Sequence, residues 1–89
     1  MNTIFKFPVQ FDPHQSLFIQ DGVTLLTVQM NFGKPTLWAL VDPVKPRIYR
    51  HIEMYGTGAP IPAEVGMYLG TVQYENAMGT YVYHFFGIS

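Results

Sequence analysis

Apolar and polar residues alternate with a period of two along much of the chain, and each run stops at a glycine, a proline or an asparagine. Successive strand residues point to opposite faces of a sheet, so this rhythm predicts half-buried β-strands. In the first run Phe5, Phe7, Val9 and Phe11 share a face, with Lys6 and Gln10 opposite. Pro8 lacks an N–H, which predicts an edge strand or a bulge there. Asp12-Pro13-His14 reads as a turn, and a short run Ser16 to Gln20 leads into Asp21-Gly22, a two-residue hairpin signal. Leu26, Val28, Met30 and Phe32 then alternate with Thr27, Gln29 and Asn31.

After Gly33-Lys34-Pro35, the run Thr36 to Val41 is apolar on both faces and too short for a helix, which predicts a central strand with Trp38 in the core. It ends at Asp42-Pro43. From Arg47 to Tyr55, Ile48, Ile52 and Met54 face one way, and Tyr49, His51, Glu53 and Tyr55 the other. Gly56 to Pro62 holds two glycines and two prolines, which forbid a continuous ladder and predict a shaped loop. Two further strands, Met67 to Tyr74 and Thr80 to Phe86, are joined by a short loop over Glu75 to Gly79. The only helix candidate is one turn near Pro62 to Val65. These readings predict an all-β, mostly antiparallel single domain over residues 1–89, a small sandwich or partly open barrel of six to seven strands.

Composition changes this picture in one respect. The chain is 48% hydrophobic and 12% charged, against roughly 25% charged in ordinary soluble domains. A core this small supplies little net stability, and without cysteine no disulfide can add to it, so a homo-oligomer is expected. The absence of cysteine also excludes thiolate catalysis and cysteine-type zinc sites. No run reaches the roughly 18 apolar residues of a membrane span, and the opening MNTIFKFPVQ lacks a signal-peptide layout, so a cytoplasmic protein with no membrane association is expected. A net charge of −1 argues against general binding of DNA or RNA, which needs several cations on phosphates.

Candidate chemistry lies in one stretch. Arg47, Tyr49, Arg50 and His51 combine guanidiniums with aromatic rings, the pairing that holds phosphate and stacks a base. In a strand, Arg47, Tyr49 and His51 share a face and Arg50 points away. Tyr55 offers a further ring, and Gly56, Thr57 and Gly58 expose backbone N–H groups able to cradle an anion. The same residues also read as a solvated strand face followed by a rigid crossover. His14, His51 and His84 have no partner at short spacing, so no metal site is expected. No spacing singles out an acid–base set from Asp42, Glu53, Glu64 and His51, so neither an enzyme nor a cofactor is expected.

Leu37 to Pro43, Tyr55 to Pro62 and Tyr68 to Gln73, with the opening Ile4 to Pro8, resemble a family of small bacteriophage-encoded proteins of unknown function, marked by LWALVDP and GTGxPIP motifs. The resemblance implies a phage accessory protein in the cytoplasm of the infected bacterium. Such proteins often counter host defence, in some cases by sequestering a nucleotide-derived signal without cleaving it. Two functions are therefore carried forward. In the first, the ligand-binding set Arg47, Tyr49, Arg50, His51, Tyr55, Gly56, Thr57 and Gly58 captures a small nucleotide-type molecule. In the second, exposed aromatics bind a host protein, or the chain is a structural phage component.

Overall fold

Glycine and proline punctuation cuts the chain into seven strands, and the computed structural model describes residues 1–88. In chain order they are β1 (Thr3–Pro8), β2 (His14–Gln20), β3 (Thr24–Asn31), β4 (Lys34–Val41), β5 (Arg47–Gly56), β6 (Met67–Asn76) and β7 (Gly79–Ile88). They form two sheets, ordered β1-β4-β3 and β2-β5-β7-β6. Every hydrogen-bonded pair is antiparallel. The fold is thus all-β and sandwich-like, and the stretch 62–65 makes a turn with no helix. No helix among the described residues is long and apolar enough to cross a membrane.

Two connections depart from the sequence reading. Asp21-Gly22 does turn the chain, with Gly22 at φ 74. The strands it joins nevertheless enter different sheets, and the Asp21 N–H donates to the Pro46 carbonyl at 2.8 Å. The turn is a corner between layers and makes no hairpin. The β3–β4 hairpin instead turns at Phe32-Gly33, whose φ values of 51 and 77 are both positive, as a primed turn requires. Phe32 therefore leaves the strand face predicted for it and stands in solvent.

A register shift between Leu25 and Thr27 moves β3 out of phase. One inserted residue exchanges the faces, so Leu25 is buried and Leu26 exposed. Val28 and Met30 keep their expected side. In β4, Leu37, Ala39 and Val41 are buried. Trp38 alternates with them, so it lies half-buried on the outer face between its register partners Lys6 and Thr27 rather than in the core. β4 is the central strand of its sheet, as expected.

The core lies between the sheets. Leu25, Val28, Leu37, Ala39 and Val41 meet Ile19, Ile52, Met54, Leu69, Val72 and Phe85. Each such aliphatic or aromatic side chain removed from water contributes about 1.5–3 kcal/mol. Phe11, beyond the end of β1, closes one end by packing on Tyr74 and Tyr83 at ring separations of 5.0 and 5.3 Å.

Candidate functional site

The inward set of β5 is Ile48, Arg50, Ile52 and Met54, and its buried members Ile52 and Met54 dock on the core. The other set, Arg47, Tyr49, His51, Glu53 and Tyr55, must then line the outer face of the four-stranded sheet. β2 runs antiparallel beside it with His14 opposite Glu53, Ser16 opposite His51 and Phe18 opposite Tyr49. On the other side β7 places His84 opposite Tyr55 and Phe86 opposite Glu53. β6 adds Thr71 opposite His84 and Tyr68 opposite Phe86. All three histidines of the chain stand on this one face.

Two polar groupings organise the face. Glu53 meets His14 through Oε2, 3.3 Å from Nδ1. Through Oε1 it accepts the Tyr55 hydroxyl at 3.0 Å. The His14 and His51 rings stack beside it, with centroids 5.7 Å apart and planes at 15°. In the second grouping His84 is held at both ring nitrogens, by the Thr57 hydroxyl at 2.7 Å and the Thr71 hydroxyl at 2.8 Å. The Tyr68 hydroxyl in turn bonds to Thr71. Phe86 joins the groupings, edge-on to Tyr55 at 5.9 Å and to Tyr68 at 5.6 Å.

Partial burial, the hydrogen bond to Glu53 and the carboxylate's negative charge, in that order, raise the Tyr55 phenol above its usual 10.0. The folded protein holds this proton more tightly than the unfolded chain. Its contribution to stability is therefore complete below pH 10.0 and is lost as pH rises through the folded value. Ultraviolet titration of the phenols should show a late-ionising tyrosine that disappears in Tyr55→Phe and moves to lower pH in Glu53→Gln. An unchanged titration in Glu53→Gln would break the assignment.

The eight residues singled out in the sequence do not converge on one spot. Arg47, Tyr49, His51 and Tyr55 share the outer face, whereas Arg50 lies on the reverse side, half-buried, with its Nε out of water and unpaired among the described residues. Gly56 ends β5, nine positions from Arg47, which in an extended strand is about 30 Å. The Gly56–Gly58 backbone is also partly engaged, since the Thr57 N–H donates to the Val82 carbonyl at 3.1 Å and the Ala59 N–H to Gly56 at 3.0 Å. A single small ligand cannot span this set.

The fold adds residues that spacing along the chain did not single out. Phe18 lies against Tyr49 with ring centroids 4.9 Å apart, and the two are 50% and 73% exposed. His14, Glu53, Tyr68, Thr71 and His84 join through pairing between strands distant in sequence. The i, i+2 spacing of His51 and Glu53 was the one local signal for their common face.

The chain belongs to the family described as Domain of unknown function (DUF7352), which matches residues 1–88. No curated protein and no solved structure matches it.

Proposed function

We propose that this member of the family is a non-catalytic binding module that captures a small nucleotide-type ligand on the outer face of its four-stranded sheet. The observation that carries the reading is the exposed Phe18–Tyr49 pair, with Arg47 two residues from Tyr49 on the same face. An open sheet with aromatic rings on its surface can stack bases without a cavity. Such stacking contributes about 1–3 kcal/mol per base, and a guanidinium beside it suits phosphate. The working set is then Arg47, Tyr49 and Phe18, with His51 next in line along β5. Arg50 and the Gly56–Gly58 turn serve the architecture.

The likeness to bacteriophage proteins supports a setting in an infected bacterium, where holding a nucleotide-derived immune signal would blunt defence without turnover. A homo-oligomer would deepen an otherwise open face.

Thermal-shift measurement against cyclic and ADP-ribose-type nucleotides tests the proposal. A ligand at 100 times its dissociation constant adds about 2.7 kcal/mol, which in a domain of this size is a rise on the order of 10 °C. Tyr49→Ala and Arg47→Ala should each abolish most of that rise, and inorganic phosphate alone should give almost none. A flat response across the panel would reject the ligand. It would favour the protein-contact reading instead, for which Met67 and Tyr68, exposed at the opposite edge of the same sheet, supply further apolar surface.

A further inference from the structure

We infer that His14, His51 and Glu53 form a binding site for a divalent cation of the zinc class on the outer face of the four-stranded sheet. Thirty-seven positions separate the two histidines in the chain. The antiparallel register of β2 on β5 sets His14 directly across from Glu53, one strand position beyond the Ser16–His51 pair's inner neighbour. One donor atom from each of the three residues then lies within 4.8 Å of the others.

Three features favour a cation over a simple ion pair. The first is spacing. Bonds of about 2.0–2.1 Å in a tetrahedral shell put neighbouring donors roughly 3.4 Å apart, and His14 Nδ1 already stands 3.3 Å from Glu53 Oε2. His14 has a 67% exposed side chain, so its ring can adjust to bring in the His51 nitrogen. The second is chemistry. Two imidazoles and one carboxylate make a borderline donor set suited to zinc, unlike the all-oxygen shells of calcium and magnesium. Three protein donors leave a fourth position for water or an anionic oxygen.

The third feature is the support behind the donors. Tyr55 donates to Glu53 Oε1 at 3.0 Å, which fixes the carboxylate with Oε2 turned toward His14. Hydrogen bonds to a ligating carboxylate orient it for the metal. The backbone under His14 is pinned as well: its N–H donates to Asp12 Oδ1 at 3.0 Å, and the Met54 N–H donates to the Pro13 carbonyl at 3.1 Å. His84 stands outside the site because both its ring nitrogens are occupied by threonine hydroxyls.

The test uses the full chain, stripped with EDTA and titrated with Zn2+ by calorimetry and with Co2+ by visible absorption. One ion should bind per chain, with Co2+ showing the ligand-field bands of nitrogen and oxygen coordination. His14→Ala, His51→Ala and Glu53→Gln should each weaken Zn2+ by about a hundredfold or more, and Tyr55→Phe by about tenfold, the usual cost of losing a supporting hydrogen bond. His84→Gln, with the same histidine count as the first two variants, should bind as the parent does. Circular dichroism checks that each variant keeps its sheet signal, and His14→Asn replaces His14→Ala if the latter does not fold. The inference is overturned if neither ion binds, or if the His14 and His51 variants bind as tightly as the parent. Loss of binding in His84→Gln equal to that in His14→Ala would overturn it too.

Discussion

Phe85→Ala is expected to cost about 3–5 kcal/mol of folding stability, the usual range for truncating a fully buried phenylalanine. Phe85 has no exposed surface. It sits on the inner face of β7 with Met54 of β5 on one side and Gly70 of β6 on the other. Alanine there loses the transfer energy of the ring and leaves a void that rigid strands on both sides cannot fill. A domain of this kind has only about 5–15 kcal/mol in all, so the variant should be close to unfolded at physiological temperature. Phe86→Ala is the comparison, because Phe86 alternates to the outer face and is half-buried. Urea unfolding should place its midpoint well above that of Phe85→Ala. A Phe86→Ala midpoint at or below that of Phe85→Ala would overturn this assignment of the two faces of β7.

Gly70→Ala should be destabilising by roughly 2–5 kcal/mol, combining overpacking with backbone strain. Gly70 has φ +147, a region closed to side chains. A methyl group there would run into the Val28 carbonyl and approach Thr27 Oγ1 to 3.3 Å. β3 and β6 belong to different sheets, so this contact is where the edges of the two layers come together. The obstacle is backbone, which cannot swing aside as a side chain would. Gly79→Ala separates the two causes, since Gly79 has a comparable φ of +133 but nothing within 4 Å of an added methyl. It should lose about 1–3 kcal/mol, the cost of the backbone conformation alone. If chemical denaturation gives the two alanine variants the same stability, the close approach of the sheets is not what requires glycine at position 70.

Much of the strand content was readable because it depends on local rules. Alternation marks which side of a strand is apolar, and Gly, Pro and Asn mark where strands stop. β5 is the clearest case: the expected division between Ile48, Ile52 and Met54 and Tyr49, His51, Glu53 and Tyr55 matches the inner and outer faces, with Ile52 and Met54 buried and Ile48 exposed. β3 shows the limit. Its bulge after Leu25 slips the phase by one residue, and nothing in the run Thr24 to Asn31 announces an inserted residue. Asp21-Gly22 shows another limit, since a dipeptide that specifies a turn does not specify whether the next strand returns to the same sheet.

What the chain determined by itself was its all-β character, most of its strand segments and the sidedness of β5, because each follows from neighbours within a few residues. The choice of two packed sheets over a partly open barrel came from the tertiary structure. The site came from pairing. β2 lies beside β5, and β5 beside β7, with other strands intervening in the sequence. Only that arrangement sets His14 against Glu53 and Phe18 against Tyr49. The physical reason is that strand pairing is chosen by burial of the whole inner surface, a global quantity, while the outer-face residues are carried passively into register by the core they do not belong to.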